Sequence, residues 1–329
     1  MNYYQKREKG EIVCQLCQHY CRLKEGQTGV CGVNQNDKGH LNTLVYGHPV
    51  ALNVDPVEKK PMYHFLAGSK ALSFGTVGCN FKCPFCQNWD ISQKKEINKE
   101  IEVSPEKMVA LALEHGVQSI AYTYNEPTIF YPYAKEIGII AKERGLKNIF
   151  VSNGFESKEV VADMAGWLDG ANIDLKSWSD AYYKRVLKGG LEGVKETLRR
   201  MVGEGIWVEV TTLIISGEND SDHTLHEMAE FIANDLGKHV PWHLSAFHPD
   251  YKMLDHEATR LETLMRAKKR AEEAGLYYVY LGNVPVHGDT HCPECGTLLI
   301  DRTGYAVSVN KLEAGHCPHC KREIEGVWK

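Results

Sequence analysis

Three cysteines in one short loop carry the clearest chemical signal in the chain. Cys79, Cys83 and Cys86 have the spacing C-x3-C-x2-C, directly after Gly78. Thiolates are the natural ligands of a four-iron cluster, so three of them leave one iron without a protein ligand. An iron with an open position can bind and activate a small molecule, as the open position of a catalytic zinc does. The spacing therefore predicts a catalytic iron–sulfur cluster.

A structural zinc ion is the alternative for this loop. Structural zinc sites are normally closed by four ligands. His64 and His115 are candidates for the fourth ligand, but neither has the spacing of a zinc finger. We therefore favour the open [4Fe–4S] cluster.

A second group of cysteines lies near the C-terminus, in two Cys-Pro-x-Cys pairs. Its members are Cys292, Cys295, Cys317 and Cys320. Paired knuckles of this kind are typical of zinc ribbons, with rubredoxin-type iron as the competing metal. A structural role is expected, because so short a module buries little core without help.

A third group lies near the N-terminus. Its members are Cys14, Cys17, Cys21 and Cys31. Clustered cysteines in a chain without a secretion signal indicate metal binding more than disulfides. Zinc and a second iron–sulfur cluster both accept four thiolates, so the sequence leaves the metal open. A redox disulfide is a weaker third interpretation.

The composition is that of an ordinary globular protein. The 329 residues are 43 % hydrophobic and 25 % charged, with a net charge of −5. This acidic balance argues against strong general affinity for nucleic acid or an anionic membrane. No apolar run has the length of a membrane span, and residues 1–11 are polar, unlike a signal peptide. We therefore expect a cytoplasmic protein.

Short β-rich runs alternate with amphipathic stretches from residue 70 to about residue 284. The predicted strands are residues 71–77, 119–124, 148–152, 171–175, 207–215, 241–247 and 277–281. The predicted helices are residues 105–115, 129–144, 157–165, 181–187, 191–204, 222–236 and 257–274. This alternation indicates an α/β fold whose parallel strands are joined by helices.

The positions of the polar motifs suggest which α/β architecture is present. They follow several different strands, as in a barrel whose site is built from βα loops. An open doubly wound sheet would concentrate them at one switch point. We therefore predict a partial (β/α)6 barrel over residues 66–286. A Cys-rich metal-binding module over residues 1–65 and a zinc-ribbon-like or rubredoxin-like module over residues 287–329 flank it.

Polar residues after the second and third predicted strands are candidates for binding a cofactor. Asn125 and Glu126 could hold an ammonium group, because a carboxylate accepts charge-assisted hydrogen bonds well. The alternative is a helix N-cap before Pro127. Ser152 and Asn153 could bond a ribose, although an Asn-Gly turn is nearly as good an explanation.

Polar residues after the fourth and sixth predicted strands extend this set. Asp174 and Lys176 share one face of their strand at a period of two, so both could point into a barrel mouth. A surface salt bridge is the alternative. His248 ends the sixth strand beside a proline turn, which favours a functional role, while His243 is left unassigned.

These features together resemble the radical S-adenosylmethionine enzyme of the AmmeMemoRadiSam system, a relative of pyruvate formate-lyase activating enzyme. The resemblance is carried by residues 13–21, 58–65, 78–88, 123–128, 152–154, 172–176 and 247–249, and by the C-terminal cysteine pairs. It implies that the open iron chelates the methionine part of S-adenosylmethionine, and that one electron cleaves the sulfonium to give a 5′-deoxyadenosyl radical. It also implies that Asn125 and Glu126 replace a Gly-Gly-Glu loop, that Lys176 pairs with the cofactor carboxylate, and that His248 contacts the cofactor.

The resemblance also implies partners. These are an electron donor such as flavodoxin or ferredoxin, AMMECR1-like and Memo-like proteins, and a polypeptide or small-molecule substrate that loses a hydrogen atom. Glycyl-radical-enzyme activation is one such reaction. The terminal cysteine modules and the Asn125-Glu126 loop depart from the ordinary activase, so the substrate does not carry over. A rival reading is a zinc-ribbon scaffold that docks on RNA or a protein partner.

Overall fold

The computed structural model describes residues 2–329, and its N-terminal part is built from short antiparallel strands. They are β1 (Tyr4–Lys6), β2 (Ile12–Cys14), β3 (Arg22–Leu23), β4 (Asn34–Asp37), β5 (His40–Thr43) and β6 (Ala51–Pro56). The first three form one sheet, and β4 and β5 form a hairpin. Strand β6 lies within the predicted N-terminal module but pairs with the central sheet. The exact limits of the three predicted domains stay predictions.

The central sheet continues with seven strands. They are β7 (Lys70–Gly75), β8 (Ser119–Tyr122), β9 (Lys147–Ser152), β10 (Gly170–Asp174), β11 (Trp207–Ile214), β12 (Trp242–Ala246) and β13 (Val279–Gly282). Each strand lies beside the next one in sequence and parallel to it, from β7 to β13, while β6 runs antiparallel at the edge. The predicted α/β fold with a parallel sheet is confirmed. The strand order has no reversal, so the sheet is not doubly wound; the partial barrel itself stays a prediction.

Helices alternate with the strands of this sheet along the chain. They are α1 (Trp89–Ser92), α2 (Pro105–Glu114), α3 (Tyr131–Glu143), α4 (Lys158–Met164), α5 (Asp180–Tyr182), α6 (Leu191–Gly203), α7 (Asp222–Phe231) and α8 (Leu261–Glu273). Wider π-helical turns, Tyr183–Leu187 and Ile232–Gly237, extend α5 and α7. Shorter 3-10 turns lie at Glu8–Gly10, Val57–Lys59 and Pro127–Phe130.

Local sequence explains half of the helix starts. Four helices begin after a serine whose side chain accepts a hydrogen bond from the backbone three residues later. These caps are Ser104, Ser157, Ser179 and Ser221. Such a cap stabilises a helix by about 1 kcal/mol. The caps therefore fix the residues at which α2, α4, α5 and α7 begin.

The last helix begins four residues later than predicted. The expected start was residue 257, whereas α8 begins at Leu261. Thr259 instead donates its hydroxyl to the backbone oxygen of Ile214 and its backbone N–H to Phe247. This contact with neighbouring strands holds residue 259 out of the helix, and no local pattern encodes it.

The C-terminal part is a small three-stranded antiparallel sheet. Its strands are β14 (Thr290–His291), β15 (Leu298–Thr303) and β16 (Ala306–Asn310). Arg302 of β15 is fully buried and donates to the backbone oxygen of Tyr63 at 2.6 Å, with its guanidinium 4.5 Å from the Tyr63 ring. Glu58 lies 3.6 Å from the same guanidinium. Residues 58–65 thus join this sheet to the central one.

None of the helices within residues 2–329 combines the length and the apolar character that crossing a membrane requires.

Candidate active site

One cavity of about 760 Å³ is lined by side chains from the loop of Cys79, Cys83 and Cys86, called the cluster loop below. Six neighbouring strands or their ends provide further side chains. Its lining includes all three cysteines of the loop. Asp174, Thr211 and His243 lie opposite one another on β10, β11 and β12 and all face this cavity. Because parallel strands in register present alternate residues to one face, the sheet builds one continuous polar wall.

The cluster loop leaves β7 through a backbone that only glycine tolerates. Gly78 has φ +91°, and a Cβ there would lie 2.8 Å from Val33 and 2.9 Å from the backbone oxygen of Cys31. Asn125 then fixes the loop, since its amide donates to the Gly78 oxygen at 2.8 Å and accepts from the Thr76 N–H at 3.3 Å. The start of the loop is therefore held by both the N-terminal module and the turn after β8.

Cys83 is buried, Cys79 and Cys86 are partly buried, and the thiols make only weak hydrogen bonds. The Cys79 sulfur accepts from the Phe81 N–H at 3.4 Å, and the Cys86 sulfur lies 3.2 Å from the Ser92 hydroxyl. Burial raises the pKa of the Cys83 thiol to about 12, although the Lys176 ammonium opposes this rise. Thiols in such places ionise when a bound metal supplies positive charge. The donor set therefore fits a metal cluster.

Asp174 and Lys176 both face the cavity, and they also pair with each other. Lys176 Nζ lies 2.6 Å from an Asp174 oxygen and 5.9 Å from the centre of the Phe85 ring. Burial alone would lower the pKa of Lys176, but the charges of Asp174 and Cys83 outweigh it and raise the pKa. The structure thus contains both the salt bridge and the cavity placement that the sequence left as alternatives. A permanent positive charge stands beside the cluster loop.

Glu126 lies outside the cavity lining and is fully buried. One oxygen accepts from the backbone and hydroxyl of Thr128, at 3.0 and 2.6 Å. The other accepts from the Asn153 N–H at 2.8 Å. The N-cap interpretation is therefore present in the structure, and the carboxylate ties the turn after β8 to the turn after β9. Its contact with a cofactor ammonium group stays a prediction.

A second buried carboxylate, Glu156, lies next to Glu126. The Ser152 hydroxyl is 2.9 Å from a Glu126 oxygen and 2.5 Å from a Glu156 oxygen. A hydroxyl has one hydrogen, so it cannot donate to both groups at once. Burial and the charge of Glu126 raise the pKa of Glu156 to about 8. The shared hydroxyl and the nearby Glu126 carboxylate therefore favour the protonated form of Glu156.

Ser152 and Asn153 both line the cavity. The Asn153 amide donates to the Asn80 side-chain oxygen at 2.7 Å, which connects the turn after β9 to the cluster loop. The side chains proposed for ribose binding thus also have structural partners.

His248 is exposed and does not line the cavity. Its ring nitrogen lies 2.8 Å from the amide of Gln87, the residue after Cys86. The side chain is therefore next to the cluster loop, although its contact with a cofactor stays a prediction.

Sequence reasoning missed one polar group inside the sheet. Glu209 of β11 is fully buried and accepts from the backbone N–H groups of Tyr63 and His64, at 2.9 and 2.8 Å. His243, left unassigned from the sequence, lies 2.7 Å from the same carboxylate and faces the cavity. The available signal was a glutamate in the middle of an apolar strand, because a buried charge needs partners.

The C-terminal cysteines have the geometry of a single-metal site. Cys292 and Cys320 sulfurs are 3.6 Å apart, and those of Cys295 and Cys317 are 3.7 Å apart. Around one tetrahedral ion with metal–sulfur bonds of about 2.3 Å, sulfurs lie about 3.8 Å apart. The predicted four-cysteine cluster is thus present, while zinc stays the predicted metal.

The N-terminal cysteines lie beside the cluster loop. Cys14, Cys17 and Cys31 are buried. Cys17 forms a β-bridge with Glu156, and the backbone N–H of Gln18 donates to the Phe155 oxygen at 3.0 Å. The module is therefore attached to the turn after β9.

Comparison with known proteins agrees with this geometry. The model of the Radical SAM superfamily matches residues 74–232. The uncharacterized protein MJ0808 of Methanocaldococcus jannaschii is 40 % identical over 329 residues, 98 % of each chain. The pyruvate formate-lyase-activating enzyme of Clostridium pasteurianum is 21 % identical over 209 residues, which cover 60 % of this chain and 87 % of that protein.

Solved structures share the fold at low sequence identity. A radical SAM methyltransferase from Sphaerobacter thermophilus superimposes with a TM-score of 0.51 at 18 % identity, over 65 % of this chain and 66 % of that one. Streptococcus suis SuiB, bound to S-adenosylmethionine, gives 0.51 at 13 % identity, over 69 % of this chain and 53 % of that one. The match of the family model shows that the chain contains a radical S-adenosylmethionine domain over residues 74–232, and its relatives include pyruvate formate-lyase-activating enzyme.

Proposed function

We propose that this protein is the radical S-adenosylmethionine enzyme of an AmmeMemoRadiSam system, and that it removes a hydrogen atom from a substrate bound in the cavity. One observation carries the proposal. The three cysteines, the Asp174–Lys176 pair and the polar interior of the sheet all open onto the same space. Its volume is within the range of about 300–1,000 Å³ that is common for small-molecule sites.

Cys79, Cys83 and Cys86 would hold a [4Fe–4S] cluster, and the residues around them would hold S-adenosylmethionine. When bound, these groups supply one electron to the sulfonium and a 5′-deoxyadenosyl radical to the substrate. Lys176 offers its ammonium to the cofactor carboxylate, because its charge already stands beside the cluster loop. Ser152 and Asn153 offer polar atoms along the same wall.

The far side of the cavity points to the class of substrate. Lys60 is 4 % exposed, pairs with Asp55 at 2.7 Å, and lines the cavity with Tyr63 and His243. Gly304 and Tyr305, in the hairpin between β15 and β16, form another part of the lining. Charged and aromatic walls favour a small polar molecule or one extended peptide segment. A glycine-bearing loop of a partner enzyme is an example of the latter.

The proposal includes further components. A flavodoxin or ferredoxin would supply the electron in the cytoplasm, AMMECR1-like and Memo-like proteins would act with the enzyme, and zinc would occupy the C-terminal cysteines. The superfamily supports the iron–sulfur cluster and S-adenosylmethionine. The remaining components are inferred from the resemblance and from the donor sets.

Electron paramagnetic resonance of anaerobic, dithionite-reduced protein tests the proposal. We expect a reduced-cluster signal that changes when S-adenosylmethionine is added, together with release of 5′-deoxyadenosine. Lys176→Ala should keep the signal and weaken the change. A protein loaded fully with zinc and lacking any cluster signal would refute the proposal and favour the scaffold that docks on RNA or a protein.

A second experiment separates the two substrate classes. Reduced enzyme is incubated with deuterated small molecules or with deuterated glycine-containing peptides. Transfer of deuterium into 5′-deoxyadenosine is then compared between the two kinds of substrate. Transfer from a peptide would favour activation of a partner polypeptide, and transfer from a small molecule would favour a metabolic enzyme.

A further inference from the structure

The two four-cysteine groups have different geometry. In residues 2–329, only the C-terminal group places three or more cysteine sulfurs within 4.8 Å of one another. A single tetrahedral ion would bring all four sulfurs to about 3.8 Å from each other. The N-terminal group lacks this arrangement, as does the loop of Cys79, Cys83 and Cys86. The thiolates of an iron–sulfur cluster bind separate irons, so they stand farther apart.

The N-terminal sulfurs nevertheless face a common space. A Cβ on Gly29 would lie 3.5 Å from the Cys21 sulfur and 3.7 Å from the Cys31 sulfur. The distance between the Cys21 and Cys31 sulfurs is therefore at most the sum of 3.5 and 3.7 Å. The φ of Gly29 is outside the left-handed region, so its backbone does not require glycine. Two of the four sulfurs are therefore near enough to share a cluster, while the group as a whole lacks the spacing of a single tetrahedral ion.

Amide donors also surround this group. Asn34 is buried, and its side-chain nitrogen lies 3.6 Å from the Cys31 sulfur. Asn80 is 1 % exposed, and its side-chain nitrogen has no hydrogen-bond partner. A buried donor without a partner is unfavourable, and cluster sulfur is a natural acceptor for it.

Asn80 links this group to the cluster loop. Its side-chain oxygen accepts from Asn153 at 2.7 Å and lies 3.9 Å from the Cys79 sulfur. His19, between Cys17 and Cys21, lies 3.0 Å from the Asn80 backbone oxygen. Asn80 therefore contacts Asn153 and Cys79 through its side chain, and the N-terminal cysteine segment through its backbone oxygen.

We propose that Cys14, Cys17, Cys21 and Cys31 hold a second iron–sulfur cluster, and not a zinc ion, packed against the catalytic loop through Asn80. The C-terminal group is the single-metal site of the same chain. This assignment does not depend on cleavage of S-adenosylmethionine.

Acid-labile sulfide is the measurement that separates the assignments, because neither zinc nor rubredoxin-type iron contains sulfide. The starting protein is the full chain with Cys79, Cys83 and Cys86 all changed to Ala, reconstituted anaerobically with iron and sulfide and then desalted. We expect iron and sulfide to remain bound in equal amounts. Adding Cys17→Ser and Cys31→Ser should remove the sulfide. The matched control, Cys295→Ser with Cys317→Ser, should keep it.

Wild-type protein gives an independent reading if the N-terminal variant does not fold. Its sulfide content should be about twice that of the protein with Cys17→Ser alone, or of the protein lacking the catalytic loop cysteines, if each site holds a [4Fe–4S] cluster. A protein without the loop cysteines that binds zinc and no sulfide would overturn the assignment. Failure of S-adenosylmethionine cleavage with two clusters present would instead count against the proposed function alone.

Discussion

The N-terminal and C-terminal cysteine groups offer the same four donors in opposite surroundings. The C-terminal sulfurs sit on two knuckles of a small sheet, and Cys295 is exposed. The N-terminal group includes three buried thiols and is bonded to the turn after β9 and to the catalytic loop. The difference teaches that cysteine spacing specifies the donors, whereas the contacts around them decide which part of the fold they adjoin.

Removal of one ligand from each kind of site gives the largest expected contrast. Cys83→Ala should abolish cleavage of S-adenosylmethionine, because the proposed [4Fe–4S] cluster would lose one of its three ligands. Cys295→Ala should keep most of the cleavage, since Cys295 does not line the cavity. The two variants are compared by the amount of 5′-deoxyadenosine that they release when dithionite is the reductant. Equal loss in both variants would show that the C-terminal site also supports catalysis.

The attachment of the C-terminal sheet is expected to have the next largest effect. Arg302→Met leaves Glu58 buried without its partner, and breaking a buried pair costs about 3–5 kcal/mol. The exposed Lys321–Glu313 pair is the matched control, and Lys321→Met should cost less than about 1 kcal/mol. Denaturant unfolding measures both. A small effect of Arg302→Met would mean that this sheet is only loosely attached.

The charge beside the catalytic loop is expected to affect cofactor binding. Lys176→Ala removes one charge-assisted contact, worth about 1.5–3 kcal/mol, so the Kd for S-adenosylmethionine should rise about 10- to 100-fold. Lys184 pairs with Asp180 at the surface. Its variant Lys184→Ala is the control, and its Kd for S-adenosylmethionine should be unchanged. Titration of the cluster signal gives both values. An unchanged Kd in Lys176→Ala would exclude its contact with the cofactor carboxylate.

The buried pair of Glu126 and Glu156 should make the stability of the fold depend on pH. The pKa of Glu156 rises from 4.5 to about 8 in the folded protein, so the folded state binds more protons than the unfolded state between these values. Its contribution to the free energy of unfolding is therefore full below pH 4.5 and is lost as the pH rises through 8, by at most about 1.4 kcal/mol per pH unit.

The variant Glu156→Gln tests this linkage. It replaces the protonated carboxyl with a neutral amide, so the fall in stability between pH 5 and pH 8 should become shallower than in the wild type. Denaturant midpoints across this range give the slope. Parallel curves for the two proteins would show that Glu156 is ionised in the folded state.

The sequence predicted the elements better than their contacts. All seven predicted parallel strands are present, because alternation of apolar runs with amphipathic stretches is a local pattern. The start of α8 was wrong, since Thr259 bonds to β11 and to Phe247 through contacts distant in sequence. The candidate residues Asn125, Ser152, Asp174 and Lys176 do line one cavity, as strand-end positions on parallel strands imply.

By itself the sequence determined the chemical groups that are available: a loop with three cysteines, two groups of four cysteines, and polar residues at strand ends. Only the tertiary structure decided which atoms are free to use that chemistry. It enclosed Glu126 within hydrogen bonds, paired Glu209 with His243, and placed Asn80 between two cysteine sites. Spacing along a chain specifies ligand types, whereas burial and partners come from residues tens to hundreds of positions away.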